Sequence, residues 1–258
     1  MFFPVIDSHI HLLDYREEDR TQILEELNMY QIHQLISISK NKQEANENII
    51  LSCKESKVKP VVGFHPEQRF EEDVVWEDIL TFIDEKQDQL VAIGEIGLPY
   101  YLRQENKELA LQPYIILLEA FIKKAANLKK PVVLHAIYED APIVCELLEK
   151  YTIKKAHFHW FKGDQHTVER IIQNGHLISV TPEILYKEQA KKLVKKVPID
   201  QLMVETDGPW PFEDLYKGTL THPKMLHDSI KAIAKIKKVP VIEAYNVIYE
   251  NTRIFYEL

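Results

Sequence analysis

The chain has 258 residues, 45% of them apolar, and carries 40 acidic against 32 basic side chains, for a formal net charge of −8. This is the composition of a chain that buries a core, and it excludes both a disordered chain and a strong basic field that draws in nucleic acid from a distance. Bound divalent ions could still supply positive charge locally.

Read from the N-terminus, short β-branched runs alternate with longer amphipathic stretches. The predicted strand–helix pairs are Pro4–Ile6 with Glu18–Tyr30, Gln34–Ile38 with Lys42–Ser52, Pro60–Gly63 with Val74–Lys86, and Val91–Gly94 with Lys107–Leu128. They continue as Pro131–Leu134 with Ala141–Lys150, Lys155–Phe158 with Gln165–Asn174, His176–Val180 with Glu183–Lys196, and Leu202–Glu205 with Pro223–Ile236. A last helix is predicted over Val241–Glu250. Crossovers of this length allow parallel pairing, and eight of them predict an α/β fold, a (β/α)8 TIM barrel, as one domain over residues 1–258. A glycine-rich dinucleotide fingerprint after the first strand is missing, which argues against an open doubly wound sheet.

Nothing near Met1–Asp7 reads as a signal peptide, and the apolar runs are too short to span a bilayer. Cys53 and Cys145 form no disulfide framework. The expectation is a cytoplasmic protein without membrane association or an obligate protein partner.

The polar residues at the strand ends carry the chemistry. Asp7, His9 and His11 share one face of the first strand, because strand side chains alternate. Three polar groups on an inner face need partners, since burying them unpaired is costly. Glu95, His135, His159 and Asp207 follow the apolar runs of later strands, at the ends where barrel enzymes build their sites. Each has a plain structural reading alone, such as a helix cap for Glu95 or a core histidine for His135. Together they form a set of imidazoles and carboxylates suited to first-row divalent ions. Six ligands exceed one tetrahedral site with an open position but fit two ions, with Glu95 as the natural bridge because a carboxylate has two oxygens.

At this point the sequence resembles the TatD family of metal-dependent hydrolases, one of the amidohydrolase-like barrels. The matching segments are Asp7-Ser8-His9-Ile10-His11-Leu12, Gly63-Phe64-His65-Pro66, Gly94-Glu95-Ile96-Gly97-Leu98, the run ending at His135, His159-Trp160-Phe161-Lys162-Gly163, Glu205-Thr206-Asp207-Gly208-Pro209, and Asn251-Thr252-Arg253. The resemblance implies one ion held by His9, His11, Glu95 and Asp207 and a second held by Glu95, His135 and His159, the ions being Zn, Mn, Mg, Ni or Fe. It implies Asp207 as the group that takes the proton of the attacking water and His65 as a substrate contact; Glu205, two residues before Asp207, shares its strand face and could orient the site from behind or make a structural hydrogen bond at the barrel rim. The implied activity is a deoxyribonuclease acting on phosphodiesters, with DNA or a small phosphoester as substrate.

Two departures bear on specificity. Pro99 stands where the family has Asp, and His135 is followed by Ala136-Ile137-Tyr138 where the family has Ser-Arg. The loss of an Arg able to grip phosphate leaves Lys162, Arg69 or Arg103 to compensate. Tyr100 is a candidate substrate contact, and Tyr101, Tyr138, Trp160 and Trp210 could stack bases or simply pack. These departures keep a second expectation open, hydrolysis of a small non-nucleic ester, lactone or amide. A non-catalytic ligand-binding barrel is a third.

Overall fold

The computed structural model describes residues 3–69 and 76–258. Eight strands are present: β1 Val5–Ile10, β2 Ile32–Ser39, β3 Val58–Val62, β4 Ala92–Gly97, β5 Val132–His135, β6 Ala156–Phe158, β7 Leu177–Val180 and β8 Leu202–Val204. The helices are α1 Glu17–Glu26, α2 Lys42–Lys54, α3 Glu77–Lys86, α4 Tyr100–Glu105, α5 Gln112–Leu128, α6 Ala141–Lys150, α7 Gln165–Gln173, α8 Glu188–Lys196, α9 Leu226–Lys237 and α10 Val241–Tyr256. The strands follow one another in a single sheet in chain order, β1 to β8. Parallel pairing joins β1 to β2, β3 to β4, β4 to β5, β5 to β6 and β7 to β8. This order and alternation are those of the (β/α)8 barrel fold. Among the described residues no helix is long and apolar enough to cross a membrane.

The chain divides into two compact units. The first comprises Met1–Ser37, Leu51–Lys59 and Leu177–Leu258, and contains β1, β7, β8, α1 and α8 to α10. Strand β1 is buried at all six positions, Asp7, Ser8 and His9 included. It therefore runs four residues beyond the predicted end at Ile6, because its polar residues find partners inside the fold. Helix α10 lies against this strand and β8. The Tyr256 hydroxyl donates to the Ser8 carbonyl at 3.2 Å, and the Asn251 amide donates to the Ile199 and Leu202 carbonyls at 2.8 Å each. Phe255 and Tyr256 are buried, which extends this helix past the predicted Glu250. The predicted helix Glu183–Lys196 is split instead, into a 3-10 turn at Pro182–Leu185 and α8.

The second unit, Ile38–Ile50 with Pro60–His176, contains β4 to β6 and α3 to α7. Its core includes Phe121 of α5 and Phe158 of β6, both fully buried, each contributing about 2–3 kcal/mol by the area removed from water. Strands β4 and β5 come close where Gly97 pairs with His135. A Cβ at Gly97 would lie 1.9 Å from the His135 carbonyl oxygen, so only glycine fits. Of the predicted helix Val74–Lys86, Val74 and Val75 lie outside the described residues.

The predicted helix Lys107–Leu128 begins later, at Gln112, and a separate short helix, α4, precedes it. No neighbouring side chain caps α4. Its Tyr101 and Leu102 N–H groups donate to the Glu67 carboxylate at 2.8 and 2.7 Å, across 34 and 35 residues of sequence. Helix ends need such partners, and here a distant residue supplies them.

Candidate metal-binding clusters

In the first unit, His9 lies within β1, His11 just after it, and Asp207 in the loop after β8. The Asp207 N–H donates to the His9 carbonyl at 2.9 Å, and the His11 N–H donates to the Gly208 carbonyl at 2.8 Å. These main-chain bonds carry the three side chains together. His9 Nε2 and His11 Nε2 are 3.2 Å apart, and each lies 3.4 Å from Asp207 Oδ1. Asp207 adopts a left-handed φ of 48°, a conformation that few residues tolerate and that turns its carboxylate toward the two imidazoles.

Asp7 braces this cluster. Its carboxylate accepts from the Thr206 hydroxyl at 2.6 Å, the Thr206 N–H at 3.0 Å and the His9 N–H at 3.3 Å. Burial pushes its carboxyl up to about 8 against those hydrogen bonds. Gly208 leaves room for Tyr15, whose hydroxyl would lie 1.8 Å from a Cβ there. Glu205, expected to orient the site from behind, is fully buried and accepts from the Ser179 hydroxyl at 2.6 Å.

In the second unit, Glu95 lies within β4, His135 ends β5, and His159 follows β6. Glu95 Oε1 lies 3.0 Å from His135 Nδ1 and 2.8 Å from His159 Nε2, and those two nitrogens are 3.4 Å apart. His65, in the loop after β3, brings its Nε2 to 3.6 Å from Glu95 Oε2. Sequence reasoning missed Glu67, whose carboxylate lies 3.1 Å from His135 Nε2. The only local signal was its place two residues after His65 in Gly63-Phe64-His65-Pro66-Glu67. Burial works against a charged His135, but the Glu67 and Glu95 carboxylates outweigh it and hold the ring above its ordinary pKa. For Glu67 too burial opposes charge, and its bonds to His135, Leu102 and Tyr101 keep it below the usual carboxylate range.

Each unit thus holds a triangle of nitrogen and oxygen donors. The separations are 3.2–3.4 Å in the first and 2.8–3.4 Å in the second. An ion bound at about 2.0–2.2 Å spaces neighbouring ligand atoms about 3.0–3.6 Å apart, so the first donor set fits a divalent cation as it stands and the second fits once Glu95 Oε1 and His159 Nε2 separate by about 0.2 Å. Neither triangle contains a thiolate, which favours borderline and hard ions over soft ones.

Around the second triangle the chain carries aromatic side chains and a lysine. Tyr100 packs on Tyr138 at 4.7 Å and on Tyr101 at 5.3 Å between ring centroids, and the Tyr101 ring is 6.2 Å from that of His135. Lys162 Nζ sits 4.2 Å over the Trp160 ring and 3.4 Å from the Tyr101 hydroxyl. Tyr138 and Trp160 have left-handed φ values of 50° and 35°, backbone strain of the kind that gathers at binding loops. Ile137, at the position of the family's Arg, is buried. Arg103 pairs with the buried Asp140, and Arg69 is exposed. Of the three candidate cations, Lys162 is the one that reaches a tyrosine ring beside His135.

A family model described as TatD related DNase matches residues 6–257. A protein of Haemophilus influenzae named as an uncharacterized metal-dependent hydrolase is 33% identical over 257 residues, 98% of this chain and all of its own. A human protein named Deoxyribonuclease TATDN3 is 28% identical, with 96% of this chain and 92% of that one covered. Among solved structures, YjjV, a TatD homologue from Escherichia coli, superposes with a TM-score of 0.86 over 98% of both chains at 20% identity. That likeness shows a shared fold.

Proposed function

The chain belongs to the TatD related DNase family of metal-dependent hydrolases, and from that premise we propose that it is a deoxyribonuclease that cleaves phosphodiester bonds with two divalent ions. The observation that carries the proposal is the pair of donor triangles, built from the six side chains His9, His11, Glu95, His135, His159 and Asp207. Divalent ions, when bound, acidify water and draw charge from phosphoryl oxygens, which answers the poor electrophilicity and negative charge of a phosphodiester.

The protein's own groups do the rest. Asp207, partly open to solvent and flanked by two imidazoles, accepts the proton of the attacking water. Glu95, shared between ligand sets in the family's assignment, keeps His135 and His159 turned inward. His65 faces Glu95 and contacts a substrate oxygen. Lys162 and Tyr100 belong to the substrate wall, with the Lys162 ammonium in place of the guanidinium absent at Ile137. The human relative's name supports a DNA substrate. A scarcity of cysteine fits action in the cytoplasm.

A second reading, hydrolysis of a small non-nucleic ester, lactone or amide, is favoured by Pro99 and Ile137 together with the acidic net charge. One experiment separates the two. Protein loaded in turn with Zn, Mn, Mg, Ni and Fe is assayed on single-stranded and duplex oligonucleotides and on a panel of esters, lactones and amides, with Glu95→Ala as control. Metal-dependent release of nucleotides that falls at least about 10³-fold in Glu95→Ala supports the nuclease, since ion loss removes several kcal/mol of transition-state stabilisation. Turnover confined to the small esters or amides transfers the assignment to the second reading.

A further inference from the structure

His135 is gripped at both ring nitrogens. Its Nδ1 lies 3.0 Å from Glu95 Oε1 and its Nε2 lies 3.1 Å from Glu67 Oε1. Glu67 in turn is anchored, its two oxygens accepting from the Tyr101 and Leu102 N–H groups at the start of α4. The loop that carries it is tied down as well. The His65 N–H donates to the Lys40 carbonyl at 3.0 Å, the Gln68 amide donates to the same carbonyl at 2.8 Å, and the Tyr114 hydroxyl donates to the Gln68 carbonyl at 2.8 Å.

The chemistry of these partners fixes where hydrogens sit. An ionised carboxylate only accepts, so each carboxylate draws a ring hydrogen toward itself, and the one on Nε2 is held by Glu67. An ion held by the triangle would take the place of the Nδ1 hydrogen, on the side of Glu95 and His159, and leave the Nε2 hydrogen on Glu67. The backbone of the same residue acts on a second ring. The Glu67 N–H donates to His65 Nδ1 at 3.2 Å, so His65 carries its hydrogen on Nε2, toward Glu95 Oε2. One residue therefore sets two imidazoles on either side of Glu95. It also brings a carboxylate to the start of α4, the helix that follows Pro99.

We propose that Glu67 is a positioning residue: it holds His135 in the Nε2–H tautomer with Nδ1 offered as a ligand atom, and it couples that ring to the N-terminus of α4 and its tyrosines. The proposal rests on the reading of His135 as a metal ligand. Carboxylates behind ligating histidines typically change metal affinity by about 10–100-fold.

The test has two independent readouts, neither of which needs a substrate. Metal-free protein labelled with [15N]histidine reports ring tautomers by long-range proton–nitrogen correlation, with His135 assigned by its loss in His135→Asn. The wild type is expected to keep a hydrogen on Nε2, and Glu67→Ala to shift to the Nδ1–H form that faces Glu95. Chelator competition with Zn or Mn is expected to show affinity lowered about 10–100-fold in Glu67→Ala, and largely retained in Glu67→Gln, whose amide oxygen still accepts from Nε2–H. An Nδ1–H tautomer in the wild type, or a Glu67→Ala protein equal to wild type in both readouts, overturns the proposal. Should Glu67→Ala fail to fold, the wild-type tautomer decides. A wild type that takes up no divalent ion overturns the ligand reading of His135 and the metal half of the proposal, while the tautomer still judges the positioning half.

Discussion

In the first unit, the donors His9, His11 and Asp207 inherit their places from main-chain bonds, with Asp207 N–H on the His9 carbonyl and His11 N–H on the Gly208 carbonyl. In the second, the donors hold one another through side chains, with Glu95 touching His135 and His159 and Glu67 behind His135. Both arrangements yield triangles of similar size, the second somewhat tighter. The difference lies in what a substitution disturbs. A backbone-built triangle keeps its geometry when a side chain changes, so function and stability separate there. A triangle built from side chains passes any change on to its neighbours.

The comparison can be broken most directly at Asp207. Asp207→Asn removes the proposed proton acceptor and leaves the N–H bond to His9, so turnover should fall about 10²–10⁴-fold with an unchanged melting temperature. A fall in stability of comparable size would show that the side chain, and not the main chain, builds the first triangle. Asp7→Ala should do the opposite. It strands three buried donors and should lower unfolding free energy by about 2–4 kcal/mol in denaturant titration. Full retention of stability would refute its bracing role.

The units can next be compared by pH, through a buried histidine in each. Burial lowers His176 of the second unit and His222 of the first to about 4. Both are nearly inaccessible, at 2% and 5% exposure. Between that value and an unfolded value near 6.5, the unfolded chain binds the proton and the folded chain does not. Stability therefore rises with pH across this window, is complete above it, and is lost as pH falls through it, by up to about 2–3 kcal/mol per histidine. Melting curves from pH 7 to 4 should flatten in His176→Gln and, separately, in His222→Gln. Equal slopes in wild type and both variants would contradict the burial of neutral rings. The smallest effect is expected at the substrate wall. Lys162→Met should raise KM for DNA about 3–10-fold with kcat nearly unchanged, and a fall in kcat alone would move Lys162 out of substrate binding.

Much of this was legible in the chain itself. The β-branched runs mark all eight strands near their observed places, because a strand buried by helices appears as a short apolar run. The errors fell where polar residues interrupt such runs. The apolar pattern ends β1 at Ile6 and β4 at Gly94, although the strands continue through Asp7, His9 and Glu95. Those residues are hydrophilic by any scale and stay buried only because each finds a partner that no local window contains. Helix α4 escaped notice for the same reason, since its cap is Glu67.

The alternation, the fold class, the family and the identity of the candidate ligands can all be read from the chain, because each is written in residue type and short-range spacing. Which nitrogen of each imidazole faces a carboxylate, how Asp7 braces Thr206, and the place of Glu67 behind His135 come from the folded chain alone. Those are contacts between residues as many as 199 positions apart, and a hydrogen bond has a direction and a distance that chain order does not encode.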